Sequence, residues 1–144
     1  LARVIGLFSS RGYNIESLTV AETNHTDNLS RITIVTTGTP SVIIQIKAQL
    51  ARMVPVHDVH DLTVEGPSVE RELAIFKVAG SGEKRAEAMR TAEIYRAKVV
   101  DSTINCYTFE LTGKSEKIDA FADMMRPLGL TEIARTGVIA LKRE

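Results

Sequence analysis

His57, Asp58, His60 and Asp61 are the densest cluster of side chains in this sequence that could hold a metal or move a proton. They sit in extended or loop chain, where successive side chains alternate, so His57 and His60 point to opposite faces and a metal site is disfavoured. Ser9, Ser10, Ser17 and Thr19 have no His associated with them, so no nucleophile can be matched with a base and no catalytic residue is assigned. Gly80-Ser81-Gly82 precedes a helical pattern but lacks the further Gly, the Lys and the Ser/Thr of a phosphate-binding loop; it reads as a strand-to-helix turn. That leaves Asn14. In Arg11-Gly12-Tyr13-Asn14-Ile15 the Gly alone suffices to end a helix in the left-handed conformation. Asn14 is therefore either a turn former or a recognition group, with two N–H donors and one acceptor to offer.

The elements that would position Asn14 are legible from periodicity. Leu1, Val4, Ile5 and Phe8 recur at helical spacing over residues 1–11, and from Ile15 the chain reads as extended. Hairpin strands are expected at residues 15–21 and 31–37. A second helix begins at Thr39-Pro40, with Pro at its first position, and places Ile43, Ile46, Leu50 and Met53 on one stripe. A last strand is expected within residues 59–65, before Gly66-Pro67 breaks the chain.

The second half repeats this order with one more element. Residues 72–79 read as a strand that is apolar on both faces, and the following helix carries Ala88, Ala92, Tyr95 and Val99 on a stripe. Strands at 99–103 and 107–112 flank a turn at Asn105. A helix capped near Ser115 turns Ile118, Phe121, Ala122 and Met125 inward, and a strand at 133–141 closes the unit. The fold class is α+β: two ferredoxin-like βαββαβ units, residues 1–66 and 67–144, the first without its opening strand. Leu1 is not an initiator Met and lies inside the helical pattern with no cap before it, so the natural protein is expected to begin earlier.

Composition excludes several classes of partner. Eighteen basic and 18 acidic side chains give zero formal charge, which pulls the chain toward neither nucleic acid nor an anionic membrane. The basic stretch Lys84, Arg85, Arg90, Arg96, Lys98 is interleaved with Glu83, Glu87 and Glu93, as on a solvated helix. Cys106 is alone, which rules out an intramolecular disulfide, and no apolar run approaches the roughly 20 residues of a membrane helix, so a cytoplasmic location is expected. Asn24-His25-Thr26 and Asn28-Leu29-Ser30 match glycosylation acceptors in form, but a polar hairpin loop explains them.

Residues 3–20, RVIGLFSSRGYNIESLTV, closely resemble the opening of the regulatory (small) subunits of acetolactate synthase, also called acetohydroxyacid synthase. The resemblance continues through NLSRITIVTTG, VEREL, TAEIYRAKVVDST, YTFELTG and ARTGVIALKR, and so covers essentially the whole chain. It implies that the first unit is an ACT domain, a small-molecule regulatory module that works as a homodimer, and that the second is ACT-like. A small sheet with an unpaired edge has a physical reason to pair with a copy of itself, and the seam makes a groove. The resemblance implies an effector there, valine or possibly leucine or isoleucine. The loop before the first helix of one protomer would meet Asn14 and Ile15 of the other, with Leu1 and Ala2 bordering the site. A helix N-terminus suits the α-carboxylate, Asn14 the remaining polar groups and Ile15 the side-chain pocket. The implied partner is a catalytic large subunit carrying thiamine diphosphate, Mg and FAD, with no cofactor on this chain. The other reading is an autonomous amino-acid sensor attached to another enzyme or to transcription, which would have no need of the second unit.

Overall fold

The computed structural model describes residues 1–24 and 26–144; His25, within the Asn24-His25-Thr26 acceptor, lies outside the described residues. By internal packing the chain divides into two units, Leu1–Val69 with Ala140–Glu144, and Glu70–Ile139.

In the first unit α1 (Ala2–Arg11) leads into the antiparallel hairpin β1 (Asn14–Asn24) and β2 (Leu29–Thr37), followed by α2 (Pro40–Ala51). Both helices form where spacing and capping agree. Thr39 caps α2 by accepting the Val42 amide on its hydroxyl at 3.4 Å, with Pro40 just inside, where a missing N–H costs nothing. Val4 and Phe8 of α1 meet Ile46 of α2 in the buried core, with Ile15, Ile32, Ile34, Ile43, Leu50 and Met53 packed around them. The strand expected within residues 59–65 is not formed; turns and irregular chain occupy the segment. In a ferredoxin-like sheet the last strand pairs with the opening strand, the element for which this half has no counterpart, so these residues have no ladder to join.

The second unit is complete. β3 (Ser68–Ala79), α3 (Glu83–Tyr95), β4 (Lys98–Ser102), β5 (Cys106–Gly113), α4 (Ser115–Met125) and β6 (Leu130–Arg135) form a sheet of order β4-β5-β3-β6, the ferredoxin-like arrangement. Its core joins Phe76 and Phe109 of the sheet to Phe121 of α4, edge to face, with centroids 4.8 and 6.0 Å apart. The expected inward row of Ile118, Phe121, Ala122 and Met125 is fully buried, as are Ala88 and Ala92 of α3.

Three details differ from expectation. The helical stripe ends at Tyr95: Arg96 terminates α3 in the left-handed conformation, and Val99 lies exposed in β4. The closing strand is interrupted, with β6 ending at Arg135 and β7 (Ile139–Lys142), which also pairs with β3, beginning after Thr136–Val138. Thr136 causes the break: its hydroxyl accepts the Leu73 amide at 3.1 Å, so a side chain stands where a strand would offer a carbonyl. Finally, β3 is not apolar on both faces. Ala74, Phe76 and Val78 point inward while Ile75 and Lys77 are exposed, and the inward row begins with a carboxylate, Glu72, only 5% exposed.

Glu72 is held rather than stranded. Arg135 donates from Nε to Oε1 at 2.7 Å and from its terminal nitrogen to Oε2 at 2.9 Å, while its other nitrogen reaches Asp119 at 2.6 Å. The Ser115 hydroxyl donates to the same carboxylate at 3.0 Å instead of capping α4, whose cap position is Lys114 with no side-chain bond. The bidentate guanidinium clamps β3 to β6, and the hydroxyl ties in the start of α4. Hydrogen bonding from Arg135 holds the Glu72 carboxyl below its ordinary value of 4.5, against the opposing effect of burial. The unfolded chain therefore takes up this proton first as pH falls, so the stabilisation is complete above about pH 4.5 and is lost progressively below it. Glu72→Gln should cost about 3 kcal/mol in denaturant unfolding at pH 7 and flatten the dependence of stability on pH below about 4.5.

Candidate functional site

The helix-to-strand corner is built by backbone bonds. Gly12 adopts φ 69° and ψ 22°, and the Tyr13 amide reaches back to the Phe8 carbonyl at 2.9 Å, closing the last turn of α1. Tyr13, which has no role in the sequence pattern, is structural: its ring meets Phe8 edge-on at 5.9 Å and its hydroxyl donates to Gln45 at 3.3 Å. Among the described residues only Asn28 and Arg96 combine a side chain with positive φ. Asn14 is therefore no left-handed turn former; it opens β1, directly opposite Thr37. Its carboxamide nitrogen donates to the Thr37 hydroxyl at 3.4 Å, and the Thr36 hydroxyl donates to its carbonyl. The Asn14 side chain is otherwise exposed.

Ile15, next along the strand, is half-buried against Val4, Phe8 and Ile46. Consecutive strand residues face opposite ways, so Asn14 presents itself outward while Ile15 anchors the corner from within. A shift in pairing between Ile15 and Ser17 leaves Glu16 as the extra residue of a bulge, which bends β1 immediately after the pair.

Leu1 and Ala2 lie at the other end of α1, both exposed, with Leu1 at the cap position and no side-chain bond to the first amides. At 1.5 Å rise per residue the ten-residue helix is about 15 Å long, so the N-terminal amides and Asn14 cannot face one small ligand within a single chain.

The remaining candidates have local partners. His60 Nδ1 lies 3.0 Å from Glu65 Oε1, and hydrogen bonding to His60 holds the Glu65 carboxyl below its ordinary value. Asp61 accepts both the amide and the hydroxyl of Thr63. His60 and Asp61, with Thr36, Thr37, Lys47 and Leu50, border an open cavity of about 370 Å³. Among the described residues no three His, Cys, Asp or Glu side chains converge as for a metal. Gly82 precedes α3, but Arg85 in its first turn is directed elsewhere, stacked 3.8 Å above Tyr107. Arg90 pairs with Glu87 at 2.6 Å within α3. Cys106 is half-buried at the start of β5. No described helix is long and apolar enough to cross a membrane. Thr36 and Thr37 are the site residues that periodicity missed. The signal was the hairpin register, which sets Thr37 across from Asn14.

Tandem ferredoxin-like units, the first presenting an open helix-to-strand corner and matching the AHAS small subunit-like ACT domain over residues 1–58, define a chain of the ACT-domain regulatory class. Residues 71–144 match the family described as the small subunit of acetolactate synthase. The isozyme 3 small subunit of acetolactate synthase from Salmonella typhimurium is 48% identical over 99% of this chain and 87% of its own. The acetolactate synthase small subunit of Aquifex aeolicus is 46% identical over 100% of this chain and 74% of its own. The crystal structure of the acetolactate synthase small subunit from Thermotoga maritima superposes with a TM-score of 0.86 at 36% identity, covering 99% of this chain and 88% of that one. The chain belongs to the family of acetolactate synthase small subunits, regulatory subunits of that enzyme.

The corner makes a direct energetic prediction. A Cβ at Gly12 would meet nothing within 4 Å, so Gly12→Ala carries only the backbone cost of left-handed geometry, about 1 kcal/mol by denaturant unfolding. Gly12→Asn should cost less, because Asn tolerates this conformation.

Proposed function

We propose that this chain activates the catalytic large subunit of acetolactate synthase and transmits feedback inhibition by valine, or by leucine or isoleucine, bound between the ACT domains of two copies. Residues 1–66 form the effector-binding, dimerising domain and residues 67–144 the second domain. Asn14 of one protomer faces the start of α1 of the other, bordered there by Leu1 and Ala2, while Ile15 contributes the part of its side chain left outside the core. The observation that carries this reading is the exposed Asn14 carboxamide at one end of α1, with the helix N-terminus about 15 Å away at the other. An amino acid needs a positive dipole for its carboxylate and polar side-chain groups for the rest, and two copies arranged head to tail supply both.

Dimer formation has independent support. Among the described residues the sheet of the first unit has two strands, β1 and β2, and so leaves edges that a second copy can cover. Among the described residues its core holds three that are buried, Val4, Phe8 and Ile46, so further burial is expected from a partner. The chemistry belongs to the large subunit, with its thiamine diphosphate, Mg and FAD, in the cytoplasm of a bacterial-type cell; this chain supplies no catalytic group. An autonomous sensor is disfavoured because the second unit matches the small-subunit family in its own right.

Replacing Asn14 with Ala tests the proposal in the reconstituted enzyme. Loss of hydrogen bonds to a charged amino acid should weaken valine affinity by roughly 10- to 150-fold, with inhibition shifting to match. Activation of the large subunit without valine should be unchanged, because the residue lies outside the chemistry. Unchanged valine affinity in Asn14→Ala would remove the residue from the site.

A further inference from the structure

The strand β4 (Lys98–Ser102) is an edge of the second unit's sheet, which runs β4-β5-β3-β6, and every residue in it is exposed. Two of them are apolar, Val99 at 39% and Val100 at 51% exposure. An edge with unpaired backbone groups and exposed β-branched side chains invites another strand edge, and the charges that flank the valines say which one. Among the described residues neither Lys98 nor Asp101 is held in an ion pair. In a regular strand residues three apart lie on opposite faces. Here Lys98 stands across from Glu110, Val99 from Phe109 and Asp101 from Thr108, which leaves Val100 as the extra residue of a bulge. Glu110 and Thr108 share one face of β5, so the bulge brings Lys98 and Asp101 to the same face, with the two valines between them.

We propose that β4 is a self-association edge whose occupant is the β4 of a second copy. Two copies related by a two-fold axis normal to the sheet run antiparallel and keep each side chain on its own face. With the axis between Val99 and Val100, Lys98 of each copy meets Asp101 of the other, and the four valines meet across the axis. The sequence Lys-Val-Val-Asp is complementary to itself only because of the bulge; without it the two charges would face opposite ways. The bulge also keeps the backbones from a continuous ladder, so the contact rests on these side chains and is weak taken singly. It lies in the second unit and owes nothing to where the effector binds. In a chain that also pairs through its first unit it links dimers into larger assemblies, in which repetition strengthens each contact.

The test is sedimentation equilibrium of the full-length protein at low salt, without valine, up to high micromolar concentration. The parent should form larger species than Val100→Lys, which places a charge at the axis and should weaken this association at least about tenfold. Lys98→Asp sets like charges together twice and should weaken it about tenfold, whereas Lys98→Asp combined with Asp101→Lys restores opposite charges and should recover the parent value within about threefold. Glu110, across from position 98 within the chain, is common to both variants, so the difference between them reports the contact between copies. The substituted positions are exposed, so the unfolding transition should stay that of the parent, which separates lost association from lost fold. Association indifferent to Val100→Lys, or a double variant no better than Lys98→Asp alone, would overturn the inference. So would a Val100→Lys defect confined to binding of the large subunit, because the edge would then have a different occupant.

Discussion

The length and polarity of α1 constrain everything proposed for this protein. Ten residues separate the free amides at its start from the corner at its end, and a helix offers opposite partial charges at the two. A single amino acid needs a donor-rich cradle for its carboxylate and an acceptor for its ammonium within a few ångströms. One chain holds these features about 15 Å apart, so only a second copy can bring them together. Under the proposed function dimerisation is part of binding itself, and ligand occupancy is coupled to the relation between subunits, which a regulatory subunit needs in order to transmit a signal.

The second unit repeats the corner without the carboxamide. Arg96 takes the left-handed conformation at φ 61°, and the Ala97 amide reaches back to Ala92 at 2.8 Å, as Tyr13 does to Phe8. The residue that opens the following strand is Lys98 in place of Asn14, and it stands across from Glu110. The fold supplies the same geometry twice, while the carboxamide is present only in the first unit. The second unit is instead secured by the Glu72–Arg135 clamp and by the packing of Phe76 and Phe109 on Phe121.

Much of this was legible in sequence because the relevant signals are local. Gly12, Thr39-Pro40 and the stripes of α2 and α4 each follow from the geometry of one element. What the sequence hid depends on partners far along the chain. Residues 72–79 read as a strand apolar on both faces until Glu72 is placed in the inward row, and its pairing with Arg135, 63 residues away, makes that position tolerable. Thr136 interrupts the final strand because its hydroxyl serves Leu73. Residues 59–65 have the composition of a strand but no neighbour to pair with. In the candidate site Asn14 was identifiable as unexplained, whereas the inward direction of Ile15 and the hold of Thr37 on the carboxamide required the hairpin register.

The central claim, that two copies are needed to make one effector site, is tested most directly by sedimentation equilibrium of the full-length protein across its monomer–dimer transition, with and without valine. Because a ligand that binds only the dimer draws the equilibrium toward it by mass action, the apparent dimer dissociation constant should fall steadily as valine rises past its own dissociation constant. An association constant that does not respond to valine, with valine binding to the monomer at full affinity, would contradict the account.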